Sequence, residues 1–325
     1  MKILKAVVPW ILTILLFVFL FSRIPVEKVL ATLASADWGL YIAILVPYSG
    51  VYLLLDTGAL WVALRRFHAP VRYSELIPVR AVTYVLSLVN HNVAQGGVAL
   101  WLWRKENIPF LAIAGTMIFL AFMEIANLIL VSSVGASVVG TEIPGLSQAY
   151  WALYGVLAAI LFYFRGLKLL GINRPAPGLL STFDRARIVD YLAILPFKVS
   201  ALLLAAVLNW KAVQFFGMEI PFFAMVASLP LIYLASAVPL TVAKLGTAQA
   251  AWVFLLGSYA PEANLLAYSL CAHLMFLVTN ATLGVCFLPS KGREIWELAE
   301  KREQLMAEAG LDDTGSAGGE DSPRG

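Results

Sequence analysis

Long apolar runs dominate the chain and set its predicted architecture. A helix rises about 1.5 Å per residue and needs about 20 predominantly apolar residues to cross the hydrocarbon of a bilayer. Six continuous runs approach or exceed that length, and each is bounded by charges, prolines or glycines. The pattern therefore predicts six full transmembrane helices, at residues 6–22, 39–64, 111–136, 148–165, 191–213 and 264–288.

Two further apolar regions are interrupted near their middle by polar residues and glycines. Residues 76–103 contain Asn-His-Asn-Val-Ala-Gln-Gly-Gly at 90–97, and residues 222–257 contain Pro-Leu-Thr-Val-Ala-Lys-Leu-Gly-Thr at 239–247. Such interruptions leave backbone groups unpaired, which hydrocarbon tolerates only where the segment is buried in protein or lines a wet cavity. Both regions are therefore predicted to be broken or re-entrant helix pairs, with their breaks at Gly96, Gly97, Pro239 and Gly246.

The placement of lysine and arginine predicts the orientation. With the N-terminus in the cytoplasm and each interrupted region returning to its own side, 18 of the 23 lysines and arginines fall on the cytoplasmic side. Only Arg23, Lys28 and Lys211 fall on the opposite side. This asymmetry follows the positive-inside rule, so both termini are predicted to be cytoplasmic. The two helix pairs then enter the membrane from opposite sides.

An offset of 149 residues relates the two halves of the chain. It superposes the two interruptions and carries the flanking spans of residues 39–136 onto those of residues 188–285. An odd number of full spans lies between the interruptions, so the second copy is predicted to be inverted. Inverted repeats whose broken helices meet near the bilayer midplane are typical of transporters. Two unrelated breaks remain the alternative, because residue identity between the halves is sparse.

Composition supports a membrane protein. The chain is 61% hydrophobic and 13% charged, whereas soluble domains have roughly 45–50% apolar and about 25% charged residues. This excludes a water-soluble enzyme or a nucleic-acid binder and makes membrane lipids the expected partners. Residues 1–289 are predicted to form one integral membrane domain, whose first helix is not cleaved as a signal peptide. Residues 290–325 are predicted to form a cytoplasmic amphipathic helix followed by a disordered tail. A homo-oligomer or a membrane-protein partner stays open.

Ionisable residues at membrane depth are functional candidates, because a charge near the centre of a membrane helix costs about 2.5 kcal/mol or more. Glu124 and His273 lie near the middle of their predicted helices and are related by the 149-residue offset. A carboxylate and an imidazole close together can relay protons or adjust charge. The alternative for Glu124 is a protonated side chain that is hydrogen-bonded to a neighbouring helix for packing.

Two lysines also fall within membrane segments. Lys244 lies in the second interruption, where free helix N–H groups favour anions, so it is a candidate ligand for a phosphate. The alternative is a side chain that extends to the interface. For Lys198, which lies near the cytoplasmic end of its predicted helix, an extension to the interface is the favoured interpretation.

Familiar catalytic and metal-binding motifs are missing from the sequence. It has no paired Asp-rich motif, no H-E-x-x-H, no P-loop and no G-x-S-x-G. With three histidines and two cysteines, a zinc site is not expected. We therefore expect no catalytic residues, no metal and no cofactor, and we do not expect an enzyme.

The interrupted regions resemble motifs of the transmembrane region of the lysylphosphatidylglycerol synthase/flippase family of bacterial and archaeal membrane proteins. That family has an Asn-rich segment before a Pro-Gly-Gly-type turn, to which residues 90–97 are similar. It also has a Pro-x-Ser-x-Gly-Gly-x-Gly-x-x-Glu-like motif, to which residues 239–249 are similar. The resemblance covers residues 5–289. It implies a flippase-like domain in a prokaryotic plasma (inner) membrane, without the soluble aminoacyl-transferase domain of the full-length synthases.

Three positions depart from the family pattern. Ala94 stands where the family usually has proline, Lys244 replaces a glycine, and Gln249 occupies the place of a glutamate. The resemblance implies that the protein moves a phospholipid or lipid-linked headgroup between leaflets. A membrane enzyme or accessory subunit acting on a lipid-linked substrate, or a structural partner of another membrane protein, are the alternatives. The candidate substrate-binding residues are His91, Asn92, Gln95, Lys244, Thr247 and Gln249, with Glu124 and His273 as the charge relay.

Overall fold

The computed structural model is α-helical, with no strand among the residues that it describes. These are residues 2–68, 70–89, 91–106, 108–140, 146–166, 178–237 and 245–289, with side chains described for all but 2–10, 86–97, 100, 165, 166 and 178. The helices are α1 Lys2–Arg23, α2 Val26–Ser35, α3 Trp38–Phe67, α4 Tyr73–Val89, α5 His91–Glu106, α6 Phe110–Val139, α7 Leu146–Leu161, α8 Ser181–Arg185, α9 Ile188–Gln214, α10 Phe222–Ala237, α11 Thr247–Leu256 and α12 Glu262–Phe287. A π-helical turn, Phe162–Gly166, extends α7, and a 3₁₀ turn, Gly178–Leu180, precedes α8.

Five of the six predicted spans correspond to helices that are long and apolar enough to cross a membrane. These are α3, α6, α7 with its extension, α9 and α12. The first predicted span falls in α1, whose side chains are described only from Ile11 onward, so this span and the total count stay predictions. The short helix α2 was not expected from the sequence. It buries Val29 and Thr32.

The first interrupted region forms a helical hairpin. The Lys105 ammonium near the end of α5 pairs with the Glu75 carboxylate near the start of α4, whereas one straight helix would separate them by about 45 Å. The prediction of a break at Gly96 and Gly97 is wrong, because both lie inside α5. Residue 90, between α4 and α5, lies outside the described residues. Two glycines cost a helix only about 1 kcal/mol each, which packing of the hairpin overrides.

The second interrupted region also contains two helices that contact each other, α10 and α11. Residues 238–244 between them, including Pro239 and Lys244, lie outside the described residues. Gly246, immediately before α11, has φ of +91°, a conformation that favours glycine. Leu16 of α1 packs against it, so a Cβ at this position would lie 3.1 Å from the Leu16 Cβ.

Helix boundaries follow the 149-residue offset. Moved by this offset, α3, α4 and α6 begin and end within three residues of α9, α10 and α12, respectively. This agreement supports an internal repeat. The inversion of one copy across the membrane stays a prediction.

The described chain divides into two compact units, each containing stretches of both repeat halves. Unit 1 comprises Met1–Asp56, Ala121–Arg174 and Tyr191–Thr279, and unit 2 comprises Thr57–Leu120, Pro175–Asp190 and Asn280–Gly325. The main core of unit 1 surrounds the buried side chains of Tyr41, Phe216 and Tyr268. These three rings contact one another edge to face, with centroids 5.1–6.4 Å apart.

In unit 2, a ring cluster and a polar chain connect α3, α6 and α8. The Phe119 ring contacts those of Phe67 and Phe183 edge to face. Beside them, the His68 Nε2 lies 2.7 Å from the Thr116 hydroxyl, which in turn lies 3.1 Å from the Thr182 hydroxyl. Burial and the Arg185 guanidinium lower the pKa of His68 to about 4, so the imidazole is neutral at pH 7.

Helices α6 and α10 approach each other closely within unit 1. A Cβ at Gly135 would lie 2.5 Å from the backbone nitrogen of Ala227. One turn away, the Ser132 hydroxyl donates a hydrogen bond to the Ala227 carbonyl at 2.5 Å, and it lies 2.7 Å from the Tyr150 hydroxyl. Small residues at such contacts let membrane helices pack backbone to backbone.

We predict that Gly135→Ala destabilises the protein by about 1–3 kcal/mol, because the added methyl group must push the two backbones apart. Gly155→Ala on α7 is the control, because a Cβ there meets nothing within 4 Å. It is expected to be neutral or slightly stabilising. Thermal unfolding of the purified protein in detergent measures both, and equal stability of the two variants would contradict the close backbone contact.

Candidate functional site

An ion pair lies in the middle of two long apolar helices of unit 1. The Lys198 Nζ on α9 is 2.7 Å from the Glu124 Oε2 on α6. Fourteen residues separate Glu124 from the start of its helix, and ten separate Lys198 from the start of its own. At about 1.5 Å per residue, the two side chains lie about 21 Å and 15 Å from these helix ends. Both charges are therefore far from the ends of membrane-length helices.

The two members of the pair differ in exposure. The Lys198 side chain is 13% exposed, and the Glu124 side chain is 41% exposed. The Lys198 side chain thus lies mostly within the protein, while part of the Glu124 side chain remains accessible. A charged group that approaches the pair from outside the helix packing meets Glu124 first.

Asn127 attaches α6 to α9 beside the ion pair. Its Nδ2 donates a hydrogen bond to the backbone carbonyl of Lys198 at 3.1 Å. The side chain is fully buried, and its Oδ1 has no hydrogen-bond partner in the described part of the chain. An unpaired buried acceptor is costly, so this oxygen is a natural partner for a water or a bound ligand.

A second polar group lies further along the same face of α9. Asn209 follows Lys198 by eleven residues, which is almost exactly three helical turns or about 16 Å. The Tyr268 hydroxyl on α12 donates to the Asn209 Oδ1 at 2.7 Å. The Asn209 Nδ2 donates to the Ala205 carbonyl on the same helix at 2.8 Å. Asn209 therefore joins α9 to α12, with both ends of its amide hydrogen-bonded.

The start of α11 contains a buried amide with one unused donor. Gln249 is 0% exposed, and its Oε1 accepts the Gly246 N–H at 2.6 Å. This bond satisfies one of the free N–H groups at the helix start. The Gln249 Nε2 has no hydrogen-bond partner among the described residues. Gln249 thus stabilises the helix start with one end of its amide and leaves a donor at the other.

The described geometry bears on several of the predicted site residues. Glu124 forms an ion pair with Lys198. The sequence favoured an extension of the Lys198 side chain to the interface, but pairing with Glu124 keeps its ammonium at mid-helix depth. His273 lies within α12 and makes interactions of its own, and the predicted relay between it and Glu124 stays a prediction. Thr247 is the first residue of α11. The side chains of His91, Asn92 and Gln95 and the whole of Lys244 lie outside the described residues.

Sequence reasoning missed Lys198 and Asn209 as parts of a polar site. Their common spacing on one face of α9 was a signal that could have linked them. No local pattern connects Lys198 with Glu124, because the two residues are far apart in the chain. In the described part of the chain, no group of three or more His, Cys, Asp or Glu residues could hold a metal ion.

Comparison with known proteins identifies a family. The family model described as the lysylphosphatidylglycerol synthase TM region matches residues 5–284. No curated protein and no solved structure matches the chain. The match covers most of the chain and includes both hairpin regions and both members of the ion pair. It indicates an integral membrane protein with a function related to membrane lipids, and the chain belongs to the lysylphosphatidylglycerol synthase transmembrane family.

Proposed function

We propose that the protein moves a phospholipid or lipid-linked headgroup between the two leaflets of a membrane. The observation that carries the proposal is the Glu124–Lys198 pair, which lies at mid-helix depth between two membrane-length helices. Charged residues at this depth are costly and commonly mark substrate or ion pathways. A polar headgroup needs such partners to cross hydrocarbon.

The pair matches the charges of a lipid headgroup. Most headgroups have a phosphate, and many also have an ammonium group. A phosphate can replace Glu124 on the Lys198 ammonium, and a headgroup ammonium can replace Lys198 on the Glu124 carboxylate. In such an exchange neither charge is left without a partner, which is the condition for opening an ion pair at membrane depth without a large cost in free energy. The exposed carboxylate is the first point of contact.

Asn209 and Tyr268 extend this site along α9. They are buried and hydrogen-bonded to each other, so a headgroup about 16 Å from Lys198 along the helix axis would take over that bond. Two polar positions separated along one helix face allow a headgroup to leave one set of partners as it meets the next. The acyl chains remain in the surrounding lipid throughout.

The proposal includes the membrane in which the protein lies and its orientation there. The family and the apolar helices support an integral membrane protein, and we place it in a prokaryotic plasma membrane with both termini cytoplasmic. The asymmetry of lysine and arginine supports this orientation. We take the protein to be a transporter and not an enzyme.

We predict that loss of either charge slows lipid exchange, because a headgroup then lacks one of its two partners. Glu124→Gln and Lys198→Met should each lower the rate at least about tenfold, which corresponds to about 1.4 kcal/mol in the barrier. The measurement is leaflet exchange of fluorescent phospholipids in liposomes that contain the purified protein. Lys211→Met is the matched control, because this lysine lies at the end of the same helix, stacked 4.3 Å above the Trp210 ring.

The double variant Glu124→Gln, Lys198→Met separates transport from structure. It leaves no unpaired charge, so its thermal stability should recover relative to the single variants while its exchange stays slow. Exchange at the wild-type rate in the double variant would show that the pair only holds the helices together. Absence of exchange by the wild-type protein for anionic and zwitterionic lipids alike would refute the flippase proposal itself.

We predict that Gln249→Glu changes headgroup preference without unfolding the protein. A carboxylate can still accept the Gly246 N–H, and a negative charge is favourable at a helix start. The substitution removes the Nε2 donor, however, and adds a negative charge that repels phosphate. Exchange of phosphatidylglycerol should fall relative to exchange of phosphatidylethanolamine, with Gln249→Leu as the variant that loses both the cap and the donor. An unchanged ratio in Gln249→Glu would exclude Gln249 from headgroup binding.

We predict opposite accessibility for two cysteines introduced into a Cys271→Ser, Cys286→Ser background. Ser147→Cys, at the exposed start of α7, should react with a membrane-impermeant maleimide added outside intact cells. Arg187→Cys, exposed just before α9, should react only after the cells are opened. The reverse pattern would mean that the termini face outward.

A further inference from the structure

Unit 2 contains a basic cleft between the end of α3 and the start of α4. Its volume is about 520 Å³, and its lining includes Trp61, Arg65, Arg72, Tyr73 and Ser74. It contains none of the residues of the ion-pair site in unit 1. A ligand bound in this cleft would therefore be independent of the proposed function.

Aromatic contacts hold the walls of the cleft. The Trp61 indole N–H donates to the Val71 carbonyl at 3.0 Å, which fastens the α3–α4 connection onto α3. The Tyr73 ring meets the Trp61 ring nearly edge to face, with centroids 5.6 Å apart. The Arg65 guanidinium lies 4.8 Å above the Trp61 ring. The position of one arginine is thus set before any ligand binds.

The charge of the cleft is not compensated within the described residues. Neither Arg65 nor Arg72 forms an ion pair there, whereas neighbouring cations do. Arg66 pairs with Asp190 at 3.4 Å, and Lys105 pairs with Glu75. Among the described residues, the cations around the cleft thus have carboxylate partners, whereas the two guanidiniums of its lining have none and can meet an anion.

The chemistry of the lining selects a phosphate. Guanidinium groups bind phosphate oxygens through paired, charge-assisted hydrogen bonds. The Ser74 hydroxyl in the lining and the free N–H groups at the start of the seventeen-residue helix α4 add neutral donors, and the Glu75 carboxylate in the same turn is paired with Lys105. Two arginines, a hydroxyl and a helix start provide donors for several oxygens at once.

The position along the chain points to a lipid as the source of that phosphate. The cleft lies at the end of α3, a membrane-length helix of 30 residues. Tryptophan and tyrosine beside arginine are typical of the headgroup level of a membrane. Basic pockets at that level bind anionic headgroups. We propose that this cleft binds the phosphate group of an anionic phospholipid such as phosphatidylglycerol.

The test is binding of phosphatidylglycerol to the purified full-length protein in detergent micelles, followed by thermal unfolding as the lipid is titrated. We expect the lipid to stabilise the wild-type protein. Arg65→Gln and Arg72→Gln should each weaken its apparent affinity about tenfold or more. Arg66→Gln removes the same charge one residue away but outside the cleft, so it should keep the wild-type affinity. Native mass spectrometry of retained lipid provides a second readout for any variant of reduced stability.

Three results would overturn the proposal. Equal lipid affinity in the wild type and both cleft variants would exclude the cleft as the site. An equal loss of lipid affinity in Arg66→Gln would show that the net charge of the protein, and not the cleft, determines the affinity. A stabilisation of the same size by inorganic phosphate, in detergent without lipid, would make free phosphate the ligand in place of a headgroup. Absence of lipid exchange by the wild-type protein, with phosphatidylglycerol binding to the cleft intact, would leave this inference standing without the proposed function.

Discussion

Hydrocarbon offers no hydrogen-bond partner, and this constraint governs every polar group that the chain places in the membrane. The backbone meets it by forming helices. The side chains meet it by pairing with one another: Glu124 with Lys198, and Tyr268 with Asn209. Asn127 uses the backbone carbonyl of Lys198 in the same way. Because each bond joins two helices, satisfying the polar groups also sets how α6, α9 and α12 pack within unit 1.

The hydrophobic effect does not hold such helices together, since lipid tails are as apolar as leucine. Van der Waals contact between closely packed helices must hold them together instead. In unit 1, Gly135 brings α6 against the backbone of α10. In unit 2, Gly284 does the same for α12, because a Cβ there would clash with the Ala81 carbonyl oxygen. Aromatic edges around Tyr268 fill the space that backbones leave between them. The two kinds of contact are complementary: glycines let backbones touch, and large aromatic side chains fill the gaps where backbones lie further apart.

The sequence predicts what depends on local pattern. Run length predicted six spans, of which five correspond to membrane-length helices, and the polar interruption at residues 90–97 predicted a hairpin. The break was predicted at Gly96 and Gly97, which instead lie inside α5, because the helix preference against glycine is weak compared with packing. The ion pair could not be predicted, because the 149-residue offset matches Glu124 with His273 and carries no information about Lys198. The basic cleft arises from the α3–α4 connection, whose course no periodicity describes.

Pairing also explains why the proposed transport would depend on its substrate. Two opposite charges about 4 Å apart attract by about 4 kcal/mol at an effective dielectric constant of about 20. Opening the Glu124–Lys198 pair without a replacement would therefore be rare, and the helices would stay closed. A headgroup with phosphate and ammonium supplies both missing partners, so opening becomes a near-balanced exchange. The same pair that holds α6 against α9 when no lipid is bound would thus admit a lipid only when its headgroup takes over the pairing.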